Sequence, residues 1–146
     1  MRGVNDPCNL HRFIDAQEDV FDGALGEIRA GSKRGHWMWF VFPQLAGLGR
    51  SPTAQFYAIS SLDEARSYLA HPLLGPRLKQ SVEVLLSWAG KRAPEDIFGR
   101  TDAVKLKSSL TLFDAVEPAS VFRQGLASFF EGEVDERTLA LLNAAR

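Results

Sequence analysis

The stretch His36-Trp37-Met38-Trp39-Phe40-Val41-Phe42-Pro43 decides the fold class of this chain. It holds too many aromatic residues for a solvated helix. Taken alone it is a short buried strand or an irregular buried segment. Pro43 removes a backbone donor and argues against a long central strand. Gln44 to Arg50, with Gly47 and Gly49, is a loop. If the stretch pairs with other strands, the fold is α+β. If it does not, everything around it is helical.

The flanks favour helices. Leu10, Phe13, Ile14, Val20, Phe21, Ala24, Leu25 and Ile28 lie at spacings of three and four, which predicts one helix over Leu10 to Ala30. Asn9 is its expected cap and Gly31 its left-handed stop. Ser51-Pro52 starts another helix. Ser61-Leu62-Asp63-Glu64 is a capping box for one that runs to Ala70, before His71-Pro72. Leu74, Leu78, Val82, Leu85, Leu86 and Ala89 form a further stripe that Gly90 stops. Pro94 opens a short turn to Phe98-Gly99. Thr101 is the expected cap of a helix with a loose apolar period. Pro118 opens a helix that Gly132 ends, and Asp135 caps the last.

No β-α-β alternation appears. The expectation is an all-α, multihelical single domain of six or seven helices over residues 1–146, with 1–9 as an N-terminal extension. At most a short extended segment lies near Trp37–Phe42.

Length and composition agree with one domain. The chain has 146 residues, with 45% hydrophobic and 24% charged residues, so it can bury a core without a disulfide or metal. Cys8 is its one cysteine, too few for a disulfide framework or a thiolate zinc site. The formal net charge of −1 argues against a duplex-DNA binder. Met1 to Asn9 lacks a signal peptide's apolar run, and no run is long enough to span a bilayer. A cytoplasmic location is the default, and no cofactor or membrane partner is implied. The oligomeric state is open.

Charge is unevenly spread. Ile28 to Val82 carries Arg29, Lys33, Arg34, Arg50, Arg66, Arg77 and Lys79 against only Asp63 and Glu64. Such a stretch is either a solvated face balanced by acids elsewhere or a site for a phosphate-bearing ligand. His36 and His71 match no helical metal-ligand spacing and lack a companion cysteine or carboxylate, so ordinary structural histidines are the simpler reading. Trp37 and Trp39 are both core, or one of them offers a stacking wall. Gln17, near the buried face of the first helix, ties a loop or contacts a ligand. Asp102 and Lys105 stand at i, i+3: a surface salt bridge, or a carboxylate at a site rim beside Ser108, Ser109 and Thr111. No nucleophile elbow, phosphate-binding glycine loop or dinucleotide fingerprint is present.

These blocks resemble a bacterial family of small uncharacterised proteins that sometimes carry the label "calpastatin". The resemblance rests on His36-Trp37-Met38-Trp39-Phe40 and Phe42-Pro43-Gln44-Leu45. Gly47-Leu48-Gly49, His71-Pro72, Phe98-Gly99 with Asp102, and Thr111-Leu112-Phe113 extend it from about Leu10 to Leu142. Gly35, where the pattern often has serine, is a minor departure. No protease-inhibitor repeat accompanies the label. The family resemblance implies a mainly helical single domain and no established activity. A more distant similarity, carried by Ala16-Gln17 and by Phe98-Gly99 with Asp102 and Lys105, is to domains acting on NAD- and ADP-ribose-linked compounds.

The leading expectation is hydrolysis of an N-glycosidic bond in a nucleotide or ADP-ribose-like compound. Lys33, Arg34 or Arg77 would hold phosphate. A tryptophan, Trp37 or Trp39, would stack on the ligand. Asp102 would stabilise oxocarbenium-like charge or activate water. Gln17 and His36 would orient the substrate, with Gln44, Lys105 and Ser108 completing the site. The alternative is a module that binds a nucleotide or a protein without chemistry. A third reading, a homo-oligomeric scaffold, would expose Trp37 or Phe42 in an apolar patch.

Overall fold

A computed structural model describes residues 6–144, so residues 1–5 of the expected N-terminal extension lie outside the description. Ten helices form among the described residues: α1 (His11–Gln17), α2 (Phe21–Ala30), α3 (Met38–Val41), α4 (Pro52–Phe56) and α5 (Leu62–Ala70), followed by α6 (Leu74–Leu86), α7 (Pro94–Phe98), α8 (Arg100–Val116), α9 (Val121–Phe130) and α10 (Glu136–Ala144). The chain is all-α. A single parallel bridge, Leu45 to Ile59, is the β-type pairing among the described residues.

The deciding stretch is a helical turn, not a strand. Trp37 O accepts from Val41 N at 3.1 Å and Met38 O from Phe42 N at 3.0 Å. Phe42 then leaves the helical region at φ −123, ψ 73, as a residue before proline must. Trp37, Met38, Val41 and Phe42 are buried, while Trp39 is only partly buried. One tryptophan therefore enters the core and the other reaches the rim.

The helix expected over Leu10 to Ala30 is two helices. Glu18, Asp19 and Val20 form an exposed corner, with Val20 at φ −120. Asn9 does not cap α1. It sits at φ 51, and the Asp6 carboxylate accepts from Leu10 N at 2.7 Å and His11 N at 3.0 Å instead. Gly31 ends α2 at φ 74, as expected. Ser51 caps α4 with Pro52 in its first turn, and Ser61 caps α5 through Glu64 N. Thr101 caps nothing; α8 starts at Arg100 behind Gly99. His71 ends α5 and also starts α6, because its Nδ1 accepts from Leu73 N and Leu74 N.

α8 is the central element and packs on α5, α7, α9 and α10. Ser108 to Phe113 are buried without a break. That explains the loose period: a helix covered on all sides has no apolar stripe. Ser108 and Thr111 hydroxyls donate to the carbonyls one turn back, at 3.1 and 2.8 Å, so they can be buried.

Candidate functional site

The loop between α2 and α3 is held by one carboxylate. Glu27 Oε1 accepts from Arg34 N at 2.7 Å, Gly35 N at 2.9 Å and Trp37 Nε1 at 2.9 Å. Burial pushes the Glu27 carboxyl up, but these three donors together with Lys33 outweigh it, and the net shift is downward. Lys33 N donates to Ile97 O at 2.8 Å, which pins the loop to α7.

With the loop fixed, Lys33 reaches Asp102. Its Nζ lies 2.8 Å from Asp102 Oδ2 and donates to Gly35 O at 2.5 Å. The Lys33 side chain is 8% exposed, and these partners compensate its burial. The same ammonium stands 5.1 Å over the Trp37 ring. Lys105 Nζ, one turn along α8, lies 3.2 Å from Asp102 Oδ1 and 4.7 Å over the Trp39 ring. Each carboxylate oxygen thus holds one lysine, and each lysine covers one tryptophan. Asp102 is not a lone surface partner of Lys105.

Gln17 and Arg77 form a second cluster on the other side of α3. Gln17, 1% exposed, donates from Nε2 to Phe40 O at 2.7 Å and to the Tyr68 hydroxyl at 3.1 Å. Its Oε1 accepts from Arg77 at 3.3 Å, and the Arg77 guanidinium stacks 5.1 Å over Phe21. Burial holds the Tyr68 hydroxyl well above its ordinary value; the Gln17 bond and the Arg77 and Arg12 charges pull only weakly the other way. Gln17 therefore ties α1 to α3 and α5. Trp39 and Phe40 are neighbours in sequence, so α3 separates the two clusters by one residue.

The remaining expected residues are not gathered here. His36 is exposed, and among the described residues no hydrogen bond or ion pair engages its side chain. Gln44 contributes its main-chain carbonyl to Ile59 N at 2.8 Å. Ser108 Oγ lies 3.3 Å from Asp135 Oδ2, in the cap of α10. Arg34 uses its backbone N–H at Glu27 and leaves its side chain exposed. Glu27 and Tyr68 carried no motif. Their roles come from partners several to many residues away.

Two clefts open elsewhere. One of about 780 Å³ lies between the start of α5 and the end of α10, lined by Ser60, Asp63, Arg66, Leu139 and Asn143 among others. One of about 400 Å³ lies beside His11, Asp15, Phe56 and Tyr57. Neither is lined by Lys33, Trp39, Asp102 or Lys105. Among the described residues no helix is long and apolar enough to cross a membrane.

Comparison with curated proteins finds no match. A crystal structure of a conserved hypothetical protein from Mycobacterium tuberculosis is 51% identical and superposes with a TM-score of 0.91. The match covers 94% of this chain and 99% of that one. A family model described as "Protein of unknown function (DUF1810)" matches residues 7–142. The chain belongs to that family, proteins of unknown function DUF1810.

Proposed function

We propose that this protein binds a small anionic ligand with a flat ring, of the nucleoside-phosphate class, on the face around Trp39 and Lys105. One observation carries the reading: the Lys105 ammonium, paired with Asp102, stands 4.7 Å over the ring of the partly exposed Trp39. A ring needs an aromatic wall, and a phosphate needs a fixed cation. A cytoplasmic location accords with a ligand of this class.

Hydrolysis of an N-glycosidic bond is the second reading. It is favoured by Asp102, whose side chain is 18% exposed and oriented by two lysines at the rim of that face. A carboxylate so placed can stabilise oxocarbenium-like charge. Each of its oxygens holds one lysine and keeps a lone pair that can accept from a water.

The test is a thermal-shift panel of NAD, ADP-ribose, AMP and inorganic phosphate. A ligand at a hundred times its Kd adds about 2.7 kcal/mol and raises Tm by several degrees. The expected result is a shift with the ring-bearing phosphates, lost in Trp39→Ala and Lys105→Ala. A flat panel overturns the reading. Base release from a shifting ligand, abolished by Asp102→Asn, would establish the hydrolytic reading.

A further inference from the structure

One edge of the molecule carries more positive charge than a single nucleotide requires. Three segments meet there. Trp88 Nε1 donates to Ile28 O at 2.9 Å, Lys33 N to Ile97 O at 2.8 Å, and Lys33 pairs with Asp102 at the start of α8. The end of α2, the turn after α6 and the start of α8 therefore form one surface. Arg29, Arg34, Lys91, Arg92 and Arg100 are exposed, each within four residues of one of these contacts. Among the described residues none of the five has a carboxylate within 4.0 Å. Among the described residues Arg92 donates only to the Asp96 main-chain carbonyl. Glu95 and Asp96 are exposed on α7 nearby and offset part of this charge, but not all of it. Further acids sit at the corner before α2, where Glu18 and Asp19 are exposed, and Asp22 in the first turn of α2 lies about 10 Å from Arg29 by helix rise. A net charge near zero thus conceals a strongly basic edge.

We infer that this edge carries the phosphate chain of a single-stranded nucleic acid, one of whose bases lies on the Trp39–Lys105 face. The inference rests on the nucleotide reading of that face and deepens it. The edge runs into the face through Lys33, Asp102 and Lys105, so a strand lying along it delivers a base to Trp39. Only an unstacked base can lie on a tryptophan, which selects a single strand over a duplex. The acidic corner at the far end of α2 keeps the footprint short. The shared chemistry, phosphates linked to flat rings, also occurs in free dinucleotides, and the test separates the two sources.

The probe is a fluorescein-labelled dodecameric oligo(dT), followed by anisotropy, with NAD and polyglutamate as competitors. The expected result is binding at least about tenfold tighter than AMP, weakening as salt rises from about 50 to 200 mM, since each neutralised phosphate releases counterions. The variant Arg29→Glu/Lys91→Glu/Arg92→Glu changes exposed side chains outside the Trp39–Lys105 face. It should lose at least about tenfold in oligonucleotide affinity and flatten the salt dependence, while its thermal shift with AMP stays. The neutral counterpart R29Q/K91Q/R92Q serves if the charge reversal does not fold. Oligonucleotide binding no tighter than that of AMP, displacement by NAD at equal phosphate concentration, or displacement by polyglutamate overturns the inference and leaves the nucleotide reading standing. A flat nucleotide panel with oligonucleotide binding that ignores Trp39→Ala overturns the nucleotide reading and, with it, the placement of a base.

Discussion

At Glu27 one carboxylate oxygen accepts two backbone donors and an indole, so a single side chain orders the loop that delivers Lys33 and Trp37. The carboxyl sits below its ordinary value of 4.5 in the folded protein. The unfolded chain then binds the proton more readily. The stabilisation is complete above the unfolded value and is lost as pH falls through the lower folded value. Wild type should exceed Glu27→Gln in stability by about 1–2 kcal/mol at neutral pH, since a charged acceptor is stronger than an amide. Urea denaturation of both proteins should show that gap closing below pH 4.5. A gap that persists in acid would mean the amide's geometry, not the charge, is at fault. Asp102 poses a related question. Asp102→Asn leaves the buried Lys33 ammonium with only Gly35 O and the Trp37 face, and should cost about 1–3 kcal/mol. Lys33→Met with Asp102→Leu should recover part of that loss, because a buried ion pair exchanged for apolar groups is often close to neutral.

The helices show what the sequence could and could not disclose. Ends fixed by local chemistry were readable: Gly31 in the left-handed region, Ser51 before Pro52, Ser61 three residues before Glu64, and Pro94. The corner at Glu18–Val20 was not, because no glycine or proline marks it and the apolar spacing continues across it. A one-turn helix such as α3 shows no period at all, so its aromatic residues look like a strand. The start of α6 depends on an unusual acceptor, the imidazole Nδ1 of His71, bonded to Leu73 N at 3.0 Å and Leu74 N at 3.3 Å. His71→Ala should cost about 1 kcal/mol, like the loss of other N-terminal caps, and His71→Asn should keep most of it. Thermal unfolding of the three proteins separates the cap from the rest of the side chain. Four residues on, α6 meets α5 so closely that a Cβ on Gly75 would stand 2.0 Å from the Leu69 carbonyl oxygen. Gly75→Ala must push the helices apart, and about 2 kcal/mol or more of stability should go with it.

Across the whole molecule, what stayed hidden in the sequence is what joins distant segments. Asp102–Lys105 lies within one helical turn and could be seen; Lys33–Asp102 depends on the loop that Glu27 holds, and could not. Arg12 is the extreme case. Its guanidinium donates to Cys8 O and Asn9 O at 2.7 Å, Phe56 O at 2.8 Å, Ala58 O at 2.9 Å and the Glu64 carboxylate at 2.7 Å. Glu64, 4% exposed, is bonded in turn by Ser60 N and Oγ, which is why it does not close the expected capping box at Ser61. The first helix, the segment after α4 and the start of α5 are thus held by one planar fork of donors. Lysine carries the same charge but offers three donors from one point, and cannot reach all five acceptors. Arg12→Lys should cost about 3 kcal/mol, with Glu64 left buried and poorly paired. If the helices unfold as one unit, the urea midpoint falls and the slope stays unchanged. A reduced slope would show the first helix and α4 detaching before the α8-centred core. In the double-mutant cycle with Glu64→Gln, the two losses should fall short of adding, because the second change removes a charge the first has already orphaned.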